Sequence, residues 1–525
     1  MAKIVTLEEA VRVVKDGDYL LVGGFGSYAS PEELLEGLAE RYADTGSPKK
    51  IGVLCGITTG DKTESLEPLK GYTIGANRLR AEGLIDVFIA GNLTDARAIA
   101  YMVGENKIAC YLPPLGVMLN LLRATAAGRP GVITRVGLNT FADPRLDGCA
   151  FNERAKELGP LVELTTLDGK EYLFYKAFKK ADVAFIRATY ADEDGNLTMS
   201  KEGVMGPELD MAIAAHNRGG TVIAQVEDIV ARGTLHPKQV RVHSTLVDYV
   251  VKVKNPDNQR QCYATPGYRP ELSGDVRIAG ETVKPMKLSL RKVLARRGAM
   301  ELKPGVIINL GSGMPSGIGS VAEEEGLKFS TTIEAGSMGG IVQEGLSFPG
   351  AANSEAFYYQ LDTLDMYDGG FIDMAFLGFA EIDERGNTNV SQFAGRAIGA
   401  GGYINISQNA KKVFFLGNFS AGKADVALTD SGLDIKSDGE TSKFVKSVQQ
   451  VTFSGDYALE NGQEVMYITE RAVFKLTKDG LLLTEIADGV DLQKDVLDKM
   501  EFAPQVSPEL KKMDARLFRE AKMGL

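Results

Sequence analysis

Short apolar runs alternate with stretches of helical period along the whole chain. YLLVGG (Tyr19–Gly24), KIGVLCG (Lys50–Gly56), DVFIAG (Asp86–Gly91) and ADVAFIRA (Ala181–Ala188) mark the first half. VIINLG (Val306–Gly311), DMAFLG (Asp373–Gly378), KVFFLG (Lys412–Gly417) and AVFKL (Ala472–Leu476) mark the second. Runs this apolar suit strands covered on both faces, so the pattern predicts an α/β protein with parallel, doubly wound sheets and helices on each side. Most of the runs end in glycine, where a strand turns sharply toward a helix. Ligands of such sheets bind outside the carboxyl ends of the strands, at helix N-termini. Two helices stand out by pattern, one over the N-terminal MAKIVTLEEAVRVVKDGD and one over LSLRKVLARRGAMEL (Leu288–Leu302). The basic residues of the second (Arg291, Lys292, Arg296, Arg297) read as a solvated face.

The alternation repeats at long range. ADVAFIRATYADEDGN from Ala181 aligns without gaps on IDMAFLGFAEIDERGN from Ile372, pairing Asp182 with Asp373, Asp192 with Asp383, Gly195 with Gly386 and Asn196 with Asn387. At the same offset NRGGTVI from Asn217 falls on QNAKKVF from Gln408. Upstream, KDGDYLLVGGFGS from Lys15 resembles KPGVIINLGSGMP from Lys303. Three matches in one order predict two related α/β domains, the first with an extra segment of about a hundred residues; a chain of 525 residues has room for about two to four domains. The boundary is expected after the polar stretch NPDNQRQCYATPGYRPELSGD, giving domains 1–284 and 285–525.

Composition narrows the function classes. With 25% charged and 44% apolar residues the chain is an ordinary globular one, and no run approaches the roughly 18 apolar residues of a membrane span. The N-terminus fits neither a signal nor a transit peptide. Four scattered cysteines (Cys55, Cys110, Cys149, Cys262) lack metal-type spacing and suit a reducing, cytoplasmic setting. A net charge of −11 without a basic stripe argues against a nucleic-acid partner. Only three histidines occur (His216, His236, His243), and no metal-ligand cluster is readable.

One carboxylate has an unusual setting. In FSTTIEAGSMGG, Glu334 follows a β-branched run, Phe329 to Ile333, and precedes Gly336, Gly339 and Gly340. A carboxylate at a strand end beside glycines can serve as a nucleophile toward an acyl group, because main-chain N–H groups are then within reach of the reacting carbonyl. Glu344 and Glu355 are rivals by proximity, but neither stands at a strand end against a glycine cluster.

These motifs together resemble family I coenzyme A transferases of the single-chain acetate/propionate type. DGDYLLVGGFGSYASP (Asp16–Pro31) is similar to the family's N-terminal signature, with Ala29 where the family often has glycine. NLGSGMP (Asn309–Pro315) resembles its second glycine loop and EAGSMGG the loop of the nucleophilic glutamate; YDGGFIDMAFLG, GAGGYINIS and YITERAVFKL follow in order. The resemblance implies two open α/β domains of the isomerase-like CoA-transferase fold with the active site at their interface, Glu334 as nucleophile, and coenzyme A and acyl-CoA as substrates with no prosthetic group. It further implies an acyl pocket and oxyanion contacts from Gly23, Gly24, Phe25, Asn92, Leu115 and Gly116, and contacts to coenzyme A from Gly311, Ser312, Gly313, Met314, Gly401 and Gly402. The chain departs from close relatives in reading Pro114-Leu115-Gly116 for Ser-Gln-Gly and Gly91-Asn92-Leu93 for Gly-His-Trp. Those changes predict a roomier or more apolar acyl pocket.

The expected reaction is transfer of coenzyme A between short-chain acids by a ping-pong route through a covalent glutamyl-CoA thioester. Transfer to a larger or more apolar acid, or hydrolysis through the same glutamate, are the nearest alternatives. A nucleotide-dependent oxidoreductase would need an acidic residue about twenty positions beyond a glycine turn, not clearly placed in either half. A sugar- or CoA-sensing regulator would carry a DNA-binding module, and none is readable. Asp192–Asn196 looks like a calcium-loop fragment but lacks the remaining ligand spacing, so it reads as a turn. Self-association into a homo-oligomer is expected for an α/β pair of this size.

Overall fold

The structure, a computed structural model, describes residues 2–61, 74–264, 267–279, 285–393 and 395–525. Its contacts divide the chain into two compact units. The first comprises 1–278, 334–365 and 394–402; the second comprises 279–333, 366–393 and 403–525. Glu334, Gly401 and Gly402 thus belong to the first unit although they follow residue 284. The boundary expected at 284/285 adjoins residues 280–284, which lie outside the described residues.

The first unit carries a parallel sheet in the order Lys3–Ile4, Tyr249–Lys252, Thr221–Val230, Val183–Asp192, Tyr19–Val22, Ile51–Cys55, Ile85–Ala90, Ala109–Tyr111. Its central strands are buried along their length, as the unbroken apolar runs predict. A separate antiparallel sheet, Gly131–Thr134, Lys170–Lys176 and Val162–Leu167, occupies part of the extra segment. The N-terminal helix spans only Leu7–Val11, closed at its start by a capping box between Thr6 and Glu9. It is shorter than the amphipathic pattern suggests because the chain must turn at Gly17 (φ 74°) to enter the strand Tyr19–Val22.

In the second unit the strands Ser330–Thr332, Ile307–Leu310, Met374–Gly378, Lys412–Leu416 and Glu464–Ile468 are parallel neighbours. Ala472–Thr477 then turns back antiparallel, followed by Gly480–Ile486. The apolar run at Ala472 does not join the parallel set, because the short link from Ile468 to Ala472 permits a hairpin but not a crossover. The helix Leu290–Ala299 presents no solvated basic face. Lys292 (2% exposed), Arg296 (0%) and Arg297 (4%) are all buried. Arg296 donates to the carbonyls of Arg516, Leu517, Arg519 and Ala521, Lys292 pairs with Glu324, and Arg297 pairs with Glu301 and Glu485. Distant segments supply the carbonyls and carboxylates that make burial of these cations tolerable.

The sequence repeat returns hydrogen bond by hydrogen bond. In the first unit the Asp182 carboxylate accepts from the Tyr19 N–H (2.8 Å) while the Asp182 N–H donates to the Tyr19 carbonyl (3.0 Å). In the second, Asp373 does the same with Ile307 (2.9 and 3.0 Å). The Asp182 carbonyl accepts from the Thr221 N–H, and the Asp373 carbonyl from the Lys412 N–H. Both DG/RG turns close alike. Asp192 accepts from the N–H and side-chain amide of Asn196 (both 2.9 Å), and Asp383 from those of Asn387 (3.0 and 2.9 Å). The two stretches are turns after strands, not calcium loops. Among the described residues no helix is long and apolar enough to cross a membrane.

Candidate active site

Parallel strands deliver their following residues to one edge of a sheet. In the first unit the carboxyl ends of Tyr19–Val22, Ile51–Cys55, Ile85–Ala90 and Ala109–Tyr111 therefore bring Gly23, Gly56, Gly91, Asn92 and Leu115 to a common edge. Gly56 was not singled out by the sequence, because a lone glycine after a strand has no distinctive neighbours.

The turn at Gly23 is tightly packed. Gly23 donates to the Phe185 carbonyl (2.9 Å), and Phe25 and Tyr28 exchange main-chain hydrogen bonds, each 2.9 Å. Gly24 has φ 105°, and a Cβ there would lie 2.6 Å from Thr59 Cγ2 and 2.8 Å from the Tyr28 carbonyl oxygen. Only glycine fits. The N–H groups of Gly23 and Phe25 are thus engaged, the first by a neighbouring strand and the second within the turn. That of Gly24 instead faces the buried carboxyl of Glu208, whose pKa it lowers. Ala29 sits at φ 55°, a left-handed conformation that a side chain adopts only with strain.

Asn92, Leu115, Gly116, Gly401 and Gly402 are brought together. The Gly401 N–H donates to the Gly91 carbonyl and its carbonyl accepts from the Leu115 N–H, each 2.9 Å, while Leu93 donates to Ile398 (2.7 Å). A Cβ on Gly399 (φ 81°) would lie 2.9 Å from Asn92 Cα, so the segments interlock backbone to backbone. The Thr58 hydroxyl donates to the Asn92 amide oxygen (3.4 Å). Leu93 and Leu115 are fully buried, whereas Asn92 is half-buried.

Glu334 is half-buried in the turn directly after the strand Ser330–Thr332. The chain then doubles back, Ser337–Met338 pairing antiparallel with Ala356–Phe357. Gly336 (φ 111°) accepts from the Tyr358 N–H (2.9 Å), and a Cβ on it would lie 2.1 Å from the Tyr358 carbonyl oxygen. Gly340 (φ 79°) is similarly crowded by the Ala352 carbonyl, 2.5 Å from a Cβ. These two glycines serve the hairpin that carries the carboxylate. The loop is tied down further on, where the Tyr28 hydroxyl donates to the Ser347 carbonyl (2.7 Å) and the Ser27 hydroxyl to that of Leu346.

The turn Gly311–Met314 belongs to the second unit and has a different character. Gly311 donates to the Phe376 carbonyl (2.8 Å), as Gly23 does to Phe185. Beyond it the turn is open: Ser312 and Gly313 are exposed, and a Cβ on Gly313 would meet nothing within 4 Å. The Arg291 guanidinium donates to the Gly313 carbonyl (3.0 Å) and the Ser316 hydroxyl (2.8 Å), fixing the turn ahead of the helix Gly317–Glu325.

Residues 4–253 match the model of the family described as coenzyme A transferase. The chain is 44% identical to the caffeate CoA-transferase of Acetobacterium woodii, covering 100% of this chain and 99% of that protein. The chain belongs to the coenzyme A transferase family. This transferase is also 41% identical to the acetate CoA-transferase YdiF of Escherichia coli K12, over 99% of the chain and 96% of that protein. Two crystal structures of the acyl-CoA transferase YdiF from E. coli O157:H7, one the apoenzyme and one a thioester complex with CoA, superpose with a TM-score of 0.92 at 40% identity. Each covers 100% of this chain and 97% of its own. The expected α/β CoA-transferase fold is thereby borne out, and so is the enzyme class.

Proposed function

We propose that this CoA-transferase moves coenzyme A from an acyl-CoA to a free carboxylic acid through a covalent thioester on Glu334. The observation that carries this reading is the placement of Glu334, half-buried at a strand end on a hairpin that only glycines can close. The thioester complex described for the similar YdiF protein supports it.

A carboxylate is ionised near neutrality and needs no separate base to become a nucleophile. A Glu334 oxygen attacks the thioester carbonyl of the donor; the carbon–sulfur bond breaks and leaves an acyl-glutamyl anhydride with CoA thiolate. The thiolate then attacks the glutamyl carbonyl, releasing the first acid and leaving glutamyl-CoA. A second acid reverses both steps and departs as its own CoA ester. Each addition places negative charge on a carbonyl oxygen, which an N–H group must meet. In the first turn Gly23 and Phe25 donate to main-chain carbonyls and the Gly24 N–H is turned to the Glu208 carboxyl, so Gly23, Gly24 and Phe25 are assigned to packing around the acyl group. The open turn Gly311–Met314 is assigned to coenzyme A, and Gly401 and Gly402 to its pantetheine arm. Asn92, Leu115 and Gly116 line the acyl group. The buried Leu93 and Leu115 favour an acid larger or more apolar than acetate.

Incubation with an acyl-CoA alone is expected to leave CoA mass on the peptide containing Glu334, read by mass spectrometry after proteolysis. Glu334→Gln is expected to lose the adduct and at least about a thousandfold of the transfer rate, as removal of a covalent nucleophile does. An adduct on another residue, or full activity in that variant, would falsify the mechanism.

A further inference from the structure

No step above uses an arginine, yet one guanidinium of the first unit is held in place without an anion. Arg241, on the short strand Val240–Val242, is half-buried, and its Cζ lies 3.2 Å from the centroid of the Tyr359 ring. Among the described residues no carboxylate lies within 4.0 Å of it. Arg78, Arg123, Arg145 and Arg187 of the same unit each hold a carboxylate at 2.7 to 3.1 Å. The Arg241 Nε is enclosed and has no hydrogen-bond partner, while the two terminal nitrogens stay open to solvent. One edge of a planar five-donor fork is thus buried and the other is offered outward.

Both members of this stack are fixed from outside. The strand of Arg241 pairs with Leu197–Thr198, which pairs in turn with Tyr190 and Ala191 near the carboxyl end of the long strand Val183–Asp192. Tyr359 is clamped on each side. The Tyr358 N–H donates to the Gly336 carbonyl in the Glu334 hairpin, and the Gln360 N–H to the Met205 carbonyl, each 2.9 Å. The ring that carries the guanidinium is therefore one residue from the hairpin of the nucleophile. The acids that face Arg241 are Glu208 and Asp210, from the first turn of the helix Glu208–Asn217. Asp210 is already paired with Arg123 (3.1 Å), and burial pushes the Glu208 carboxyl up to about 7, so neither fully offsets the cation. Burial lowers the pKa of Arg241 against the pull of Tyr359 and these two acids, a cost that an incoming oxyanion would relieve.

We propose that Arg241, braced on Tyr359, binds an oxyanion of a substrate at a point remote from the reacting carbonyl. This rests on the CoA-transfer reading of the Glu334 hairpin. The shared chemistry is a doubly acceptor oxyanion matched to the guanidinium fork. It has two sources in this reaction, the distal carboxylate of a dicarboxylic acid and a phosphate of coenzyme A. Stacking on the ring leaves the in-plane N–H groups as the face a ligand meets, and restricts the side chain before binding.

The test uses the full chain and two ratios of kcat/KM, butanedioate over butanoate as acceptors and acetyl-CoA over acetyl-pantetheine as donors. The second member of each pair lacks the distal carboxylate or every phosphate. Arg241→Met is expected to lower one of these ratios by about tenfold or more, and the ratio that falls identifies the source of the oxyanion. Arg241→Lys keeps the charge without the fork and should recover part of the loss. Tyr359→Leu, which removes the brace and leaves the arginine, should lower the same ratio by a smaller factor. If Arg241→Met slows both members of each pair equally, or neither ratio falls more than twofold, the arginine is only structural and the proposal is overturned. Absence of transfer in the unaltered protein and of CoA on its Glu334 peptide would instead overturn the underlying CoA-transfer reading.

Discussion

Two glycine turns of this protein begin from nearly the same sequence and end as different objects. Lys15–Gly23 and Lys303–Gly311 share a turn, a strand and a first hydrogen bond, from Gly23 to Phe185 in one unit and from Gly311 to Phe376 in the other. Beyond that bond they part. Gly24 is enclosed by Thr59 and the Tyr28 carbonyl, whereas Gly313 faces open space at nearly the same φ, 97° against 105°. A motif therefore fixes a turn's backbone, but what packs on it decides whether the turn is structural filling or surface available to a ligand.

The largest effect should come from putting a methyl group on each turn. Gly24→Ala combines a disfavoured φ with contacts well inside van der Waals distance and is expected to cost about 3 kcal/mol or more. Gly313→Ala carries only the conformational strain, about 1–2 kcal/mol. Urea unfolding of the two variants measures the gap, and equal losses would show that packing does not distinguish the turns.

The paired aspartate turns provide a finer test. Burial raises the Asp192 carboxyl, but the hydrogen bonds from Asn196, Asp194 and Gly195 outweigh it and leave the pKa lowered. At Asp383 burial outweighs the corresponding hydrogen bonds, and the pKa is raised. A lowered folded pKa contributes stability above the unfolded carboxylate range that is lost as pH falls through the folded value; a raised one contributes below that range, and the contribution is lost as pH rises through the folded value. At pH 7 Asp192→Asn should therefore cost about 1–2 kcal/mol and Asp383→Asn less. Lowering the pH toward 4 should narrow the difference in unfolding midpoint.

The smallest expected effect concerns the paired strand-start aspartates. Asp373 has an added cation, Lys411 at 2.7 Å, whose side chain is 66% exposed, while the matching position beside Asp182 is Gly220. Solvent screens such a pair, so Lys411→Ala should change stability by no more than about 0.5 kcal/mol. A larger loss would mean that the second copy depends on a contact the first lacks.

Much of the fold was legible in the residues. The repeat pairs Asp182 with Asp373 and Asp192 with Asp383, and each pair makes the same hydrogen bonds. Those bonds are local or set by strand register, which sequence periodicity encodes directly. The basic helix was misread because Arg296 is satisfied by carbonyls more than two hundred residues away, beyond the reach of any periodicity.

By itself, then, the sequence determined the strand–turn–helix rhythm, the internal duplication and the placing of Glu334 at a strand end, because these depend on residues close in the chain. Only the tertiary structure decided which glycine turn is packed and which is open, which cations are buried, and that Asn92, Leu115 and Gly401 interlock. Those outcomes depend on which distant backbone groups arrive to satisfy or exclude a polar atom.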